Sequence, residues 1–217
     1  MNFQRLRRRF VGAVLGALTA AAPLVAPPVA VAQPCSDVTV VFARGTAEPP
    51  GIGRVGQAFV DALRTQLGSR TLSAYGVNYP ASYDFILAAD GAADAAAYVT
   101  NIVQSCPATR IVLGGFSQGA AVVDMLAGVP PLGNRLGAVG PMLPGTAVSK
   151  VAAVAVFGNP ATKFGNPITT SVFGGRAIDL CTDGDPICSR GRNPFAHSDY
   201  VGAGMAHHAA NFVAGLV

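Results

Sequence analysis

The sequence predicts an α/β fold in which a parallel sheet is covered by helices on both faces. Several short runs rich in β-branched residues are apolar along almost their whole length, the pattern of strands buried on both sides. Amphipathic helical stripes separate these runs, and that alternation implies a parallel sheet. Gly and Pro gather in a few stretches between them, as surface connections do.

Val38 to Ala43 is the first buried strand. Val55, Phe59, Leu63 and Leu67 recur every four residues as one face of a helix, and Gly68 stops it. Leu72 to Tyr79 is a weaker strand, and Ala95, Tyr98, Val99 and Ile102 mark a second helix that ends before Pro107. Arg110 to Leu113 reads as a strand and Gln118 to Leu126 as a helix. Val151 to Phe157 and Ala177 to Leu180 are further strands, and Met205, Phe212, Val213 and Leu216 outline a last helix. Residues 128–146 and 158–175 read as long surface connections within one domain. A sheet of this kind places its site at the carboxyl ends of its strands.

The amino terminus reads as an export signal over residues 1–32. Arg5, Arg7, Arg8 and Arg9 precede an apolar run from Phe10 to Ala22. Pro23, Pro27 and Pro28 interrupt it, and Ala30-Val31-Ala32 supplies the small-x-small cleavage pattern. These features disfavour a retained membrane anchor, so no stable membrane span is expected after cleavage. Arg7-Arg8-Arg9-Phe10 resembles a twin-arginine signal, although Leu6 stands where Ser or Thr is usual, so a Sec or a twin-arginine route is open. The expected product is a secreted or cell-wall-associated monomer, residues 33–217. Loss of the four arginines takes the formal net charge from +4 to zero, with eleven acidic side chains balanced by the remaining basic ones. That leaves no electrostatic case for nucleic acid or anionic membranes.

Cys35, Cys106, Cys181 and Cys188 allow three pairings in an oxidising compartment. Cys35–Cys106 and Cys181–Cys188 are expected: the first would tie the start of the domain to the end of a helix, the second would close a short loop.

Gly115-Phe116-Ser117-Gln118-Gly119 matches the G-x-S-x-G nucleophile elbow, where small residues two places either side relieve the crowding around a strained serine. In a chain with 26 glycines the pattern alone is weak. Its position between a strand and a helix gives it force, because strand, elbow and helix are what the motif requires. A serine nucleophile needs a histidine base oriented by a carboxylate. Of the three histidines, His207 and His208 are neighbours on the last helix, about 100° apart, and read as helix-surface residues. His197 lies in the loop between the last strand and that helix and is the candidate base. Asp179, Asp183 and Asp185 precede it in the hydrolase order Ser, Asp, His. Asp179 falls inside a strand, and Asp185, within the loop that Cys181 and Cys188 would close, is preferred to Asp183.

Three motifs in order then resemble the cutinase family, in particular the secreted cutinase-like esterases of mycobacteria. They are Ala43-Arg44-Gly45-Thr46-Ala47-Glu48 after the first strand, the elbow at 115–119, and the segment from Cys181 to Cys188 with Asp185 inside it, followed by His197. The resemblance spans essentially all of residues 35–216. It implies a small α/β-hydrolase three-layer sandwich with about five parallel strands and no large lid. It also implies Asp185 as acid, His197 as base and both proposed disulfides. The oxyanion hole would combine the backbone N–H of Gln118, which the elbow geometry supplies, with Thr46, where fungal members often carry Ser. On the loops expected to flank the cleft, Tyr83, Phe85, Ile187 and Phe195 are candidate acyl-chain contacts or, equally, core residues.

Gly51-Ile52-Gly53-Arg54-Val55-Gly56 matches G-x-G-x-x-G. It stands too far beyond Ala43 for the tight turn of a dinucleotide site, and no acid ends the second strand to hold a ribose. No P-loop, zinc or EF-hand pattern is present, so neither cofactor nor metal is implied. The expected activity is hydrolysis of short- to medium-chain carboxylic esters, with lipids or cutin-like polyesters included. A phospholipase, thioesterase or acyltransferase with the same three residues is one alternative, and a non-catalytic exported surface protein is another.

Overall fold

The computed structural model describes residues 35–134 and 140–217; the expected export signal lies outside them. The elements in chain order are β1 (Val38–Ala43), α1 (Gly53–Leu67), β2 (Leu72–Gly76), α2 (Ala88–Ser105), β3 (Arg110–Phe116), α3 (Gln118–Leu126), β4 (Pro131–Asn134), α4 (Gly145–Val148), β5 (Val151–Phe157), α5 (Pro160–Lys163), β6 (Ala177–Leu180) and α6 (Met205–Ala214). Five strands form one parallel sheet in the order β2-β1-β3-β5-β6. This is the small α/β-hydrolase architecture that the sequence predicts.

Every residue of β1 and β5 is buried. Alternation along the strands then splits the core in two. Val38, Val40, Phe42, Val112, Ala155 and Phe157 pack against α1 and α6, with Phe42, Phe59 and Phe157 in mutual ring contact at centroid distances of 6.0–6.3 Å. Val41, Ala43, Ile111, Leu113, Val154 and Val156 face α2 and α3 on the other side.

Helices built largely from alanine come close to the sheet. The buried face of α6 is Ala206, Ala209, Ala210 and Val213, while Met205 and Phe212 are half-buried at its flank. The long connections carry short elements of their own, β4, α4 and α5, of four residues each. The two disulfides are Cys35–Cys106, which fastens the start of the domain to the end of α2, and Cys181–Cys188, which closes the loop after β6. Among the described residues no helix is long and apolar enough to cross a membrane.

Candidate active site

The sheet register brings four strand ends to one level. Ala43 of β1 pairs with Gly115 of β3, Phe116 with Phe157 of β5, and Phe157 with Leu180 of β6. The loops that leave these ends carry Thr46, Ser117, Gly158 and Asp185 respectively.

Ser117 stands directly between β3 and α3 with φ 55° and ψ −116°, a left-handed conformation in a non-glycine residue. Such backbone costs on the order of 1–3 kcal/mol and persists only when its surroundings hold it. The Ser117 N–H donates to the Phe157 carbonyl at 2.8 Å and so ties the turn to β5. The flanking glycines are required by contact. A Cβ on Gly115 would stand 2.2 Å from the Gly119 carbonyl oxygen, and one on Gly119 would stand 1.9 Å from that of Ala43. The elbow is thus pressed against the end of β1.

His197 comes from a 3-10 turn, Pro194–Ser198, whose first N–H groups are capped by Asn193. Its Nε2 lies 2.8 Å from Ser117 Oγ and its Nδ1 lies 2.7 Å from Asp185 Oδ2. The imidazole also stacks on the Phe116 ring at 5.0 Å. Asp185 is fully buried. Its Oδ1 accepts the Ile187 N–H at 2.7 Å, and its Oδ2 accepts a second donor, the Tyr200 hydroxyl, at 2.6 Å. Three donors on one buried carboxylate compensate its desolvation. Asp183 is exposed at a separate hollow, and Asp179 is turned into the core. His207 and His208 are exposed on α6.

The loop after β1 is braced from below. The buried guanidinium of Arg44 donates to the carbonyls of Glu48 at 2.8 Å and Tyr79 at 2.7 Å, while the Tyr79 hydroxyl donates back to the Arg44 carbonyl. Burial pushes that hydroxyl far up from the ordinary tyrosine range. The Glu48 carboxylate accepts the N–H groups of Gly45 at 2.7 Å and Arg54 at 2.8 Å. It therefore occupies the N-terminus of α1, where the glycine motif would have needed a pyrophosphate. With the loop held this way, Thr46 and Gln118 face the same space. Among the described residues neither backbone N–H donates to a protein acceptor.

Ser117 opens into a cleft of about 680 Å³ that Thr46, Gln118 and His197 also line. Tyr83, Phe85 and Ile187 form part of its apolar wall. Phe195 does not. In a 3-10 turn successive residues advance about 120°, so the residue two before His197 faces another direction, and Phe195 lines the neighbouring hollow, 83% exposed. Ala121, Met125 and Leu132 also contribute to the wall; nothing in their spacing distinguishes them from core residues. Tyr200, buried behind the cleft as a donor to Asp185, is also passed over by the sequence reading. A tyrosine three residues after the histidine was the available signal.

An α/β-hydrolase sheet with a serine on its central elbow defines the class: a serine hydrolase. The particular family follows from comparison, and the chain belongs to the cutinase family, whose model matches residues 34–217. The chain is 49% identical over 216 residues to phospholipase Culp4 of Mycobacterium tuberculosis, a match covering 97% of this chain and 92% of that protein. It is 44% identical to carboxylesterase Culp1 of the same organism, over 84% of this chain and 82% of that one. Among solved structures, a Trichoderma reesei cutinase in complex with a phosphonate inhibitor superposes with a TM-score of 0.69 at 40% identity, covering 84% of this chain and 77% of that one.

Proposed function

We propose that this chain is a secreted esterase that hydrolyses short- to medium-chain carboxylic esters through an acyl-enzyme on Ser117. The observation that carries the reading is the unbroken hydrogen-bonded series Ser117–His197–Asp185 at the floor of an apolar cleft. Ser117 Oγ attacks the ester carbonyl while His197 Nε2 takes its proton, and the buried Asp185 carboxylate stabilises the imidazolium. The tetrahedral oxyanion rests on the backbone N–H groups of Thr46 and Gln118, each contributing about 3–4 kcal/mol to the transition state. His197 then returns the proton to the leaving alcohol, and water repeats the sequence on the acyl-enzyme. Residues 1–32 serve as the export signal, a role supported by the two disulfides of the domain.

The test is labelling with a fluorophosphonate alongside hydrolysis of p-nitrophenyl esters. Wild type labels and turns over, and Ser117→Ala does neither. Equal labelling of both proteins would end the case for Ser117; no labelling of either would favour a non-catalytic surface protein.

A second reading keeps the same residues and changes the substrate. The 49% identity to a protein named a phospholipase supports lipid esters as substrates. The three residues are silent on the acyl acceptor, so side-by-side assays on p-nitrophenyl esters, phospholipids and acyl-CoA, each with and without an added alcohol acceptor, separate esterase, phospholipase, thioesterase and acyltransferase.

A further inference from the structure

Asp185 Oδ2 is shared. The His197 Nδ1 lies 2.7 Å from it, and the Tyr200 hydroxyl donates to it at 2.6 Å. A phenol has one proton to give. With that proton on Asp185, the Tyr200 oxygen accepts the Thr182 N–H at 3.3 Å. The Cys188 sulfur, also 3.3 Å away, is bound in a disulfide and has no proton to offer. Tyr200 is fully buried, and its ring stands edge-on to Phe116, Phe157 and His197. Gly158 leaves the space for this grouping: with φ +60°, a Cβ there would lie 2.9 Å from His197 Cε1 and 3.1 Å from the Tyr200 oxygen. Burial, reinforced by the Asp185 carboxylate, pushes the Tyr200 hydroxyl far up, so it remains a donor across the working pH range.

We propose that Tyr200 is a positioning residue for hydrolysis: its hydroxyl divides the Asp185 charge between two donors and so limits how firmly His197 holds a proton. The inference rests on the catalytic reading of Ser117, His197 and Asp185. Its physical basis is the low dielectric around a fully buried carboxylate, where each donor takes up a large part of the charge. When the Tyr200 donor is removed, His197 is the one donor left on Oδ2 and faces a larger share of the charge, and the imidazolium gains stability. The Ile187 N–H keeps its hold on Oδ1 and preserves the orientation of the carboxylate.

Of the other charged groups near His197, Glu48 is half-buried with its carboxylate held by the N–H groups of Gly45 and Arg54, and the rest are exposed. Glu48 and Arg54 line the same cleft, and Arg54 also donates to the Ser198 carbonyl at 2.5 Å. Asp183 and Asp199 line the adjoining hollow, and Arg190 and Arg192 are exposed on the loop between acid and base. Solvent and salt screen such groups far more than they screen a buried contact.

Tyr200→Phe removes the hydroxyl and keeps the ring. On a neutral p-nitrophenyl ester, the expected result is an acid limb of the kcat/KM profile displaced upward by about 0.5 pH unit. Activity at pH 5.5 then falls about threefold more than at pH 8, with KM unchanged. Placing 3,5-difluorotyrosine at position 200, a stronger donor of nearly the same shape, moves the limb downward. A limb that stays fixed in both proteins, or that moves downward in Tyr200→Phe, overturns the proposal. If Tyr200→Phe fails to fold by near-UV circular dichroism, the direction of the limb in the difluorotyrosine protein decides alone. Ser117→Ala keeps the two readings apart. Undiminished hydrolysis by that variant removes the catalytic reading, whereas an inactive Ser117→Ala beside an unmoved limb removes only the role of Tyr200.

Discussion

Gln118 Nε2 donates to the carbonyl oxygen of Ser82 at 3.0 Å, so the first side chain of α3 fastens the loop that carries Tyr83 and Phe85. The same amide accepts the Thr46 hydroxyl at 3.4 Å. One buried side chain therefore sets the spacing of both cleft walls relative to the elbow. Gln118→Ala retains the backbone N–H and loses these ties. A buried hydrogen bond contributes about 1 kcal/mol net, so kcat/KM is expected to fall about fivefold in steady-state assays while Ser117 still labels.

Asp185→Asn tests the acid without changing its shape. An amide at this position can present its oxygen to His197 Nδ1 or to the Tyr200 hydroxyl, but it carries no charge to stabilise an imidazolium. The expected loss is about 10³–10⁴ in kcat at neutral pH, with KM little changed. The rate of fluorophosphonate labelling should fall in parallel.

Asp124 on α3 has no solvent exposure, and its Oδ1 accepts the Asn159 amide, which also donates to Asp179 Oδ2. Burial, then the neighbouring Asp179, hold the Asp124 carboxyl well above the usual carboxylate range, against the pull of Asn159. The folded chain thus keeps a proton that the unfolded chain releases above the ordinary carboxylate value of 3.8. Stability from this group is complete below that pH and is lost as pH rises through the raised folded value. Asp124→Asn removes the dependence. Its melting temperature is expected to match wild type near pH 4 and to exceed it by roughly 3 °C at pH 8, read by scanning calorimetry.

The two disulfides should separate stability from activity. Chain entropy gives about 4 kcal/mol for the bridge between Cys35 and Cys106, 71 residues apart, and about 2–3 kcal/mol for that between Cys181 and Cys188, 7 apart. Replacing the first pair with serine is expected to lower the melting temperature by about 10 °C and leave kcat alone. Replacing the second lowers it less but reduces kcat, because Asp185 lies inside the loop it closes.

The central strands were legible because burial on both faces demands unbroken apolar sequence, as in Val38–Ala43 and Val151–Phe157. β3 extends to Phe116, beyond the predicted Leu113, because neighbouring β1 and β5 hold Gly114 and Gly115 extended despite their weak intrinsic preference. β2 stops at Gly76, short of the predicted Tyr79, because the chain there turns to offer its carbonyls to Arg44. The four-residue elements β4, α4 and α5 are too short for any period to register. At the site, the elbow and the order of acid and base stand in the sequence as contiguous motifs. The positions of Tyr200, Arg44 and Asn159 depend on contacts between distant segments, and a buried Asp124 reads like any surface helix residue until the fold closes around it.

The elbow hangs from β3, which is paired on both sides and buried from Ile111 to Phe116, whereas Asp185 and His197 sit on loops beyond β6 at the sheet edge. Amide hydrogens of β3 should therefore be among the last to exchange, and those around 182–199 among the first. Mild heating or denaturant should uncouple acid and base from a serine whose backbone conformation survives. Inactivation would then precede global unfolding and reverse on cooling, with the nucleophile waiting on the most persistent segment of the molecule.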